Sequence, residues 1–441
     1  MARPQPVEVA APRERAFLIA VDTGADPGWT AEESLRELAA LADTAGAEVV
    51  GAEWQHRRHV DPNWYLGKGK AAELAQARGE TGFDLLVADD ELRPGQQKSL
   101  EGLLSVKVLD RSGLILDIFA QHARTHEGRL QVELAQLEYQ LPRLTRLWTH
   151  LSRTGGGIGT RGPGEAQLET DRRIIRERIK RLRQRLETVR RQRETASRAR
   201  DRRLIPSVAI VGYTNAGKST LLNALAGSEA ALAEDRLFAT LDPTSRAVKL
   251  GEGQAAIVTD TVGFIHKLPH QLVDAFRATL EEVVRADALL EVVDAADPHQ
   301  LEHRTTVQAV LTELGAGERP RLVVFNKADL LAAPALDDAA PAPAVGDAVL
   351  VSALTGYGLE TLRARLSALL GELWVEVDLR VPYRAGELLA RVRERGTVEL
   401  AYEAEDVRVQ GRVAPSLAGE LQAVAERWRA ERAQRAAVQT G

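Results

Sequence analysis

The stretch SVAIVGYTNAGKST, residues 207–220, restricts the fold of this chain more than any other. A buried apolar run leads into Gly212, four variable residues, and then Gly217, Lys218 and Ser219, after which a helical pattern begins. The glycines let backbone N–H groups converge on phosphate oxygens, where the helix N-terminus adds its positive dipole end. Lys218 can reach the β- and γ-phosphates, and the Ser219 hydroxyl can bind Mg²⁺. The stretch predicts a strand–loop–helix unit that binds a nucleotide.

The segments that follow supply groups for the same site. FATLDPTSR, residues 238–246, offers Thr240 as a second hydroxyl for Mg²⁺ in a mobile switch. Asp260 closes the strand IVTD, where a carboxylate can hold a metal-bound water, and Gly263 can donate its N–H to the γ-phosphate. These residues predict a site that responds to the γ-phosphate.

An Asn-Lys-x-Asp motif after a buried strand predicts which base the site binds. It consists of Asn326, Lys327 and Asp329. The aspartate can accept from both N1–H and the 2-amino group of guanine, whereas adenine has neither donor. An unpaired buried acceptor would cost roughly 1–3 kcal/mol, which selects guanine. Ser-Ala-Leu at 352–354, after another strand, suits a backbone contact to the guanine oxygen. The order of all these segments argues against an ATPase with a coincidental Asn-Lys-x-Asp.

Composition limits the class of protein. The 441 residues suffice for two or three domains, and a hydrophobic fraction of 44% is that of a globular chain. The absence of cysteine excludes disulfides, thiolate zinc sites and a thiol nucleophile. No apolar run approaches the roughly 18 residues of a membrane span, and AFLIAV near the start fits a first strand better than a signal peptide. We therefore expect a cytoplasmic protein without a membrane span.

A helical hairpin is predicted between two α/β regions. Two apolar seams repeat at spacings of three and four, so two helices can bury their seams on each other. The seams are Leu130, Leu134, Leu137, Leu141 and Leu144, then Ile175, Ile179, Leu182, Leu186 and Val189. Pro142 lies within the first seam and should kink or break that helix.

The predicted fold is α/β throughout, because strands alternate with helices on both sides of the hairpin. We expect an N-terminal α/β subdomain, a long antiparallel helical hairpin with a glycine-rich loop, a P-loop GTPase domain and a small C-terminal α/β domain. The predicted boundaries are 1–125, 126–203, 204–371 and 372–441. Nothing in the pattern requires more than a monomer.

Charge is distributed unevenly along the chain. Residues 171–203 hold 15 Lys and Arg against 5 Asp and Glu, a balance of +10, whereas the net charge is -5. The remainder must therefore carry -15. Such a segment suggests a polyanionic partner. A solvated helix face with i,i+4 ion pairs is the alternative.

The loop SRTGGGIGTRGPGEAQLE, residues 152–169, joins the two predicted helices. Its glycines permit close backbone approach to phosphates, and its arginines supply charge and stacking. A merely flexible linker is the alternative. The predicted RNA-binding residues are Arg153, Gly155, Gly156, Gly157, Gly159, Arg161, Gly162 and Gly164.

Two stretches outside the nucleotide motifs carry a resemblance to a known family. DRSGLILDIFAQHARTHEGRLQVELAQLEYQLPRL, residues 110–144, and GGGIGTRGPGEAQLETDRR, residues 155–173, resemble the signatures of HflX-type ribosome-associated GTPases, which are related to the translation-factor class. The similarity covers about residues 14–371. Ala166 stands where the family is expected to have threonine, which weakens a role for a hydroxyl there.

The resemblance implies a GTPase that binds the large (50S) ribosomal subunit and its rRNA, with the glycine-rich loop near the peptidyl-transferase centre. It implies GTP or GDP as ligand, Mg²⁺ as cofactor, and a task in ribosome dissociation or rescue. Two other functions stay open: a GTP-dependent factor in large-subunit assembly, and an RNA-binding module in which the nucleotide is a passive switch.

Carried over residue by residue, the resemblance implies Lys218, Thr240, Asp260 and Gly263 as catalytic residues and Ser219 and Thr240 as Mg²⁺ ligands. The implied GTP-binding residues are Gly212, Tyr213, Thr214, Asn215, Ala216, Gly217, Lys218, Ser219, Thr220, Phe238, Ala239, Thr240, Leu241, Asp242, Asp260, Thr261, Val262, Gly263, Asn326, Lys327, Ala328, Asp329, Ser352, Ala353 and Leu354.

Phe264 occupies the position where many GTPases have the glutamine that orients the attacking water. A benzyl group cannot hydrogen-bond a water. We therefore expect slow hydrolysis in isolation and acceleration when a large subunit orders the switches, with Phe264 buried in an apolar environment.

Two smaller signals point elsewhere. Lys68 and Lys70 at a helix start could bind phosphate, so an ATP site in the N-terminal domain is conceivable, but a plain helix N-terminus is favoured. His122 and His126 are four residues apart, as in a metal pair, but lack an obvious carboxylate partner. Packing or RNA contact is the favoured interpretation of the two histidines.

Overall fold

The structure is a computed structural model. It describes residues 13–25, 28–144, 163–201, 205–227, 237–238, 240–251, 254–269, 277–331, 344–345, 348–413 and 415–439. The predicted RNA-binding residues 153–162 and the predicted site residue Ala239 therefore lie outside the described residues.

The first sheet is parallel, with strand order β2-β1-β3-β4. Its strands are β1 (Arg15–Asp22), β2 (Glu48–His56), β3 (Leu85–Ala88) and β4 (Lys107–Asp110). Its helices are α1 (Ala31–Thr44), α2 (Lys68–Thr81), α3 (Pro94–Leu104) and α4 (Arg111–His122). Successive β1 side chains point to opposite faces: Leu18 packs with α1 and α4, and Ile19 packs with α2 and α3.

Helix α4 is the element of this sheet that the sequence pattern concealed. Residues 111–116 are all buried, and the exposed residues Asp117, Ala120 and Gln121 come only in the second half of the helix, so the helical period is weak in the sequence. The side chain of Asp110 caps its first turn by accepting from the Gly113 N–H at 2.8 Å. Since α4 continues toward α5, it joins the first sheet to the helical hairpin.

The hairpin consists of α5 (His126–Gln140) and α6 (Pro163–Asp201). Leu130 and Leu134 pack against Ile179 and Leu182, so the two seams meet as predicted. The first helix ends two residues before Pro142, which lacks the N–H needed to continue the ladder. Among the described side chains of α6, the charged ones from Arg173 to Arg191 are exposed.

The second sheet has seven strands in the order β10-β11-β9-β8-β5-β7-β6. Its strands are β5 (Ser207–Gly212), β6 (Thr244–Gly251), β7 (Gln254–Asp260), β8 (Ala288–Asp294), β9 (Arg321–Asn326), β10 (Ala344–Val345) and β11 (Ala348–Leu350). Strands β11, β9, β8, β5 and β7 are parallel, and the edge strands β6 and β10 are antiparallel. The carboxyl ends of β5, β7 and β9 therefore meet at one edge.

The α-helices that the described residues form beside this sheet are α7 (Lys218–Leu225), α8 (Arg277–Arg285), α9 (Gln300–Glu313) and α10 (Leu359–Glu372). A third, antiparallel sheet follows with order β12-β14-β13, formed by β12 (Val375–Pro382), β13 (Thr397–Tyr402) and β14 (Asp406–Val413). Helices α11 (Gly386–Arg395) and α12 (Pro415–Gln439) cover its apolar face. The architecture is that of the predicted α/β class.

Candidate nucleotide-binding site

The phosphate-binding loop connects β5 to α7, and its two glycines are required by space. A Cβ on Gly212 would collide with the Val292 carbonyl of β8, and one on Gly217 would collide with the Asn326 amide. Gly217 also has a φ of +85°, a conformation that strongly favours glycine. The loop therefore lies close to the neighbouring strand ends, with its backbone N–H groups at the N-terminus of α7.

Lys218 is buried at the first position of α7, and its Nζ donates to the Tyr213 carbonyl at 2.7 Å. Burial lowers the pKa of Lys218 to about 8, although the nearby Asp260 carboxylate opposes the shift. Among the described residues, the Tyr213 carbonyl is the hydrogen-bond acceptor that this ammonium uses, and phosphate oxygens could replace it.

The predicted magnesium ligands converge. The Ser219 hydroxyl donates to Asp260 Oδ2 at 2.6 Å and lies 2.7 Å from the Thr240 hydroxyl. The other carboxylate oxygen, Asp260 Oδ1, is buried and has no hydrogen-bond partner among the described residues. Burial raises the pKa of Asp260, since a charge there lacks water. Hydroxyl and carboxylate oxygens are the hard ligands that Mg²⁺ prefers, so this set fits the ion.

The predicted base-binding residues are tied to the phosphate loop through Asn326. Its Nδ2 donates to the Ala216 carbonyl at 3.0 Å, and its Oδ1 accepts from the Ala353 N–H at 3.0 Å. The fully buried Ser352 donates to Asp329 Oδ1 at 2.5 Å. The Asn326 amide and the Ser352 hydroxyl therefore hold the Asn-Lys-x-Asp turn and the 352–354 segment in place relative to the phosphate loop. The side chain of Leu354 in that segment is exposed.

The segment after β7 lies directly on the phosphate loop. Phe264 donates its N–H to the Gly212 carbonyl at 3.1 Å, and its own carbonyl accepts from the Thr214 N–H at 2.8 Å. A Cβ on Gly263 would be 2.9 Å from Lys218 Nζ and from the Thr214 Cα. Gly263 therefore touches the same lysine that is expected to bind phosphate, and a side chain there would force them apart.

Phe264 is 1% exposed, as the sequence predicted. Its ring belongs to a hydrophobic cluster that runs without interruption from the first sheet to the nucleotide site. The cluster includes Phe238, Leu241, Val262 and Ile265 on the nucleotide side, and Phe119 of α4 meets Phe238 edge-on at 4.8 Å. The backbone around the predicted γ-phosphate sensors is therefore packed on the N-terminal unit.

A buried polar network, which the sequence analysis missed, holds the same interface. Arg111 donates to Glu37 at 2.6 Å, to Asp89 at 2.5 Å and to the His266 carbonyl at 3.2 Å. These carboxylates hold the pKa of the guanidinium above its usual range despite complete burial. Tyr213 of the phosphate loop donates its hydroxyl to the other Glu37 oxygen. Arg111 lies within the 110–144 signature, and that membership was its one sequence signal.

Aromatic stacking adds to this contact. The Trp29 ring stacks on the His266 ring with 4.3 Å between the ring centroids, and the Tyr213 ring stacks on the His303 ring with 3.8 Å between the centroids. Burial lowers the pKa of His303, which favours the neutral ring in the stack. The phosphate loop is thus held by the N-terminal unit through Tyr213 as well as by its own sheet.

Asp242 is the predicted site residue whose carboxylate the structure places elsewhere. Both of its oxygens are used at the start of α5, where they accept from Arg124, Thr125 and the Thr125 hydroxyl. Helix α5 leaves two N–H groups there without helical acceptors, and these attract the carboxylate.

Of the lysine and histidine residues considered as possible phosphate or metal ligands, Lys70 and His122 have contacts within the protein. Lys70 Nζ lies 2.8 Å from the Glu53 carboxylate and 3.1 Å from that of Glu73, so its charge is used within the protein. His122 Nδ1 lies 2.9 Å from the Ile118 carbonyl. Within the described ranges no group of three or more His, Asp or Glu is arranged to hold a metal ion. In those same ranges no helix is long and apolar enough to cross a membrane.

Three family models match the chain. Residues 32–120 match the model described as GTP-binding GTPase N-terminal, and residues 122–200 match the GTP-binding GTPase middle region. Residues 207–327 match the model described as 50S ribosome-binding GTPase. The matched ranges cover strands β2 to β4 of the first sheet, the hairpin helices and most of the second sheet.

Similar proteins extend over most of the chain. GTPase HflX of Caldanaerobacter subterraneus subsp. tengcongensis is 47% identical over 410 residues, 92% of each chain. GTPase HflX of Escherichia coli K12 is 45% identical over 377 residues, 85% of this chain and 88% of that one. A solved GTP-binding protein of Sulfolobus solfataricus in complex with GDP is 26% identical, covering 81% of this chain and 98% of that one with a TM-score of 0.41. Because the first two matches combine such identity with such coverage, this chain belongs to the HflX family of GTPases and is a GTP hydrolase.

Proposed function

We propose that the GTP-bound chain binds the large ribosomal subunit through the helical hairpin, and that GTP hydrolysis releases it, so that nucleotide turnover drives ribosome dissociation or rescue. One observation carries the proposal: the γ-phosphate-sensing segments pack on the unit from which the hairpin extends. The description of the matched nucleotide domain as 50S ribosome-binding supports the choice of partner. Acting on ribosomes places the protein in the cytoplasm, and we propose that it acts as a monomer.

The site residues suggest how GTP is bound. Lys218 exchanges the Tyr213 carbonyl for β- and γ-phosphate oxygens, while Asp329 accepts from guanine and Asn326 holds the two base-binding segments together. Ser219, Thr240 and Asp260 would hold Mg²⁺, which supplies charge neutralisation on the phosphates. The Phe264–Gly212 pairing holds this segment against the phosphate loop, which supports a role for the Gly263 N–H in sensing the γ-phosphate.

Phe264 stands at the position where many GTPases have the glutamine that orients the attacking water. Phe264 is buried and cannot accept a proton, and its backbone is paired with the phosphate loop on both sides. Groups supplied in trans to such sites are worth roughly 10³–10⁵ in rate. We propose that the large subunit supplies or orders the missing group, which would tie hydrolysis to completed binding.

The hairpin carries the charge that an RNA partner requires. Arg178 and Arg183 of α6 are about two-thirds exposed even though they pair with Glu133 and Glu138 of α5. Exposed pairs of this kind contribute at most about 1 kcal/mol, so they can be exchanged for phosphate contacts at little cost. The glycine-rich segment between α5 and α6 in the sequence is proposed to contact rRNA, on the strength of its composition.

Sucrose-gradient sedimentation of 70S ribosomes tests the proposal. The full chain is added with a non-hydrolysable GTP analogue, with GDP, or without nucleotide. We expect 70S particles to separate into subunits with the analogue and the chain to co-migrate with 50S particles. With GDP the chain should remain at the top of the gradient. Equal binding in all three conditions would contradict nucleotide control, and no binding to any particle would contradict the assigned partner.

A further inference from the structure

Asp242 forms a connection between the nucleotide site and the hairpin that the proposed function does not use. Its Oδ2 accepts from the Arg124 N–H at 2.8 Å and from the Thr125 N–H at 2.7 Å, and its Oδ1 accepts from the Thr125 hydroxyl at 2.5 Å. Since α5 begins at His126, the carboxylate lies at the positive end of the helix dipole.

Helix α5 does not need Asp242 to begin. The Thr125 hydroxyl already caps it by accepting from the Gly128 N–H at 2.9 Å, and Thr125 has the extended backbone of an N-cap residue. Glycine at position 128 is what admits the carboxylate, because a Cβ there would collide with Asp242 Oδ1. The first turn of α5 is therefore shaped to receive a side chain from the nucleotide domain.

The connection to the magnesium site is short. Thr240, whose hydroxyl lies 2.7 Å from that of Ser219, is two residues from Asp242, a distance of at most about 7 Å along the backbone. Phe238 on the other side of Thr240 packs edge-on against Phe119 of α4, and Leu241 is buried in the same cluster. Thr240 is thus held from both sides by the unit that carries the hairpin.

Resting on the proposed function, we propose that the first turn of α5 positions Thr240 through Asp242, so that movement of the hairpin changes the occupancy of the magnesium site. Arg124, Thr125 and Gly128 act as positioning residues for the GTPase reaction. Leu130 and Leu134 of α5 pack on α6, so the two helices of the hairpin move together. A bound particle that displaces the hairpin therefore also displaces the first turn of α5, and with it Asp242 and Thr240. Coupling of this kind is reciprocal, so the nucleotide state must also shift the hairpin.

The test compares Gly128→Ala with a matched control, Gly79→Ala. Both replace a helical glycine with a better helix former, but only the first fills the space that the Asp242 carboxylate occupies, since a Cβ on Gly79 meets nothing within 4 Å. Asp242→Asn removes the charge at nearly constant size and serves as the second variant. Thermal unfolding and GDP affinity report whether each variant is folded.

The first measurement is the Mg²⁺ concentration for half-maximal GTP hydrolysis by the full chain without ribosomes. We expect it to rise about tenfold in Gly128→Ala and Asp242→Asn, because a small misplacement of a ligand weakens the site strongly. Gly79→Ala should behave as the parent chain. Parental Mg²⁺ dependence in both folded variants would overturn the proposal. This assay contains no ribosome, so its failure is distinct from a failure of the proposed function.

The second measurement is amide hydrogen exchange, which does not depend on turnover. In the parent chain, exchanging GDP for a non-hydrolysable GTP analogue should alter protection both in residues 237–242 and in α5. In Gly128→Ala the change in α5 should disappear while the change at the phosphate loop remains. An α5 response retained in full by Gly128→Ala and Asp242→Asn would contradict the assigned role.

Discussion

Lys218 illustrates how a single residue carries information that the motif does not contain. The sequence identified it as the phosphate-binding lysine, but its burial and its contact with the Tyr213 carbonyl appear only in the structure. Burial lowers the pKa of Lys218 to about 8, whereas bound phosphates favour the charged form and raise it again. Binding of GTP is therefore linked to uptake of a proton.

This linkage predicts a pH dependence of GTP affinity. Below pH 8 the lysine is charged both with and without nucleotide, so the affinity is constant. Above the free pKa of about 8, binding must restore a proton, and the affinity should fall by up to tenfold per pH unit. Equilibrium binding of a fluorescent GTP analogue from pH 7 to about 9.5 measures it. Lys218→Gln should bind weakly with no such slope, and a flat profile in the parent chain would refute the assigned pKa.

Phe264 supports a second prediction at the residue scale. Phe264→Gln places an amide in an apolar cluster and should lower the free energy of unfolding by about 3 kcal/mol or more. It should not restore fast basal hydrolysis, because the side chain is directed into the cluster rather than toward a water. Thermal unfolding and single-turnover hydrolysis measure both effects, with Phe264→Leu as the apolar control. A Gln variant with fast basal turnover would show that position 264 does face the water.

The helices and strands that could be predicted are those whose own residues show a recognisable pattern. The strands β5, β7, β9 and β11 and the two hairpin seams were predicted from apolar runs and from spacing. The edge strand β6 was missed because most of its residues are at least partly exposed and it contains no apolar run, although it pairs with the next strand along the chain. Helix α4 was missed because its first six residues are all buried, which obscures the helical period there.

Candidate site residues divide in the same way. Glycines, the lysine and the Asn-Lys-x-Asp motif are recognisable because their chemistry fixes both residue type and spacing. The contacts of Glu37 and Arg111 with the nucleotide domain join residues far apart in sequence, which no local pattern specifies. The Asp242 contact was hidden because FATLDPT reads as one nucleotide-binding segment, although its aspartate serves α5.

The glycine-rich loop allows a prediction for the hairpin as an element. Deleting residues 153–165 should abolish binding to 50S particles and leave the affinity for GTP unchanged, because the nucleotide contacts lie on the second sheet. Co-sedimentation with 50S subunits and equilibrium binding of GTP measure the two properties. A control variant replaces the same residues with a Gly/Ser sequence of equal length, which retains the connection but removes the arginines. Full 50S binding by either variant would contradict the assigned loop.

At the scale of the whole molecule, charge separates the parts that can meet RNA from those that cannot. A chain with a net charge of -5 carries +10 in residues 171–203. The remaining surface must repel a polyanion, so binding should be oriented by α6. The continuous cluster from the first sheet to the nucleotide site then places this basic helix and the GTP pocket on one packed body.

This asymmetry predicts a steep salt dependence of 50S binding. Each phosphate contact contributes a slope of about -0.7 to -0.9 in log affinity against log salt. Exposed arginines such as Arg173, Arg176 and Arg185 can be replaced by glutamine in combination, and the slope should become shallower. Sedimentation at increasing KCl measures it, with GTP affinity as the control. A slope unchanged by the substitutions would show that another surface makes the contacts.

Multiple-turnover GTP hydrolysis, with and without purified 50S subunits, tests the central claim most directly. With GTP and Mg²⁺ saturating, the chain alone should turn over slowly, since Phe264 stands where a glutamine would orient the water and its ring is buried. Addition of 50S subunits should raise the rate by roughly 10³-fold or more. A rate that 50S subunits leave unchanged would contradict the claim that the ribosome completes this active site.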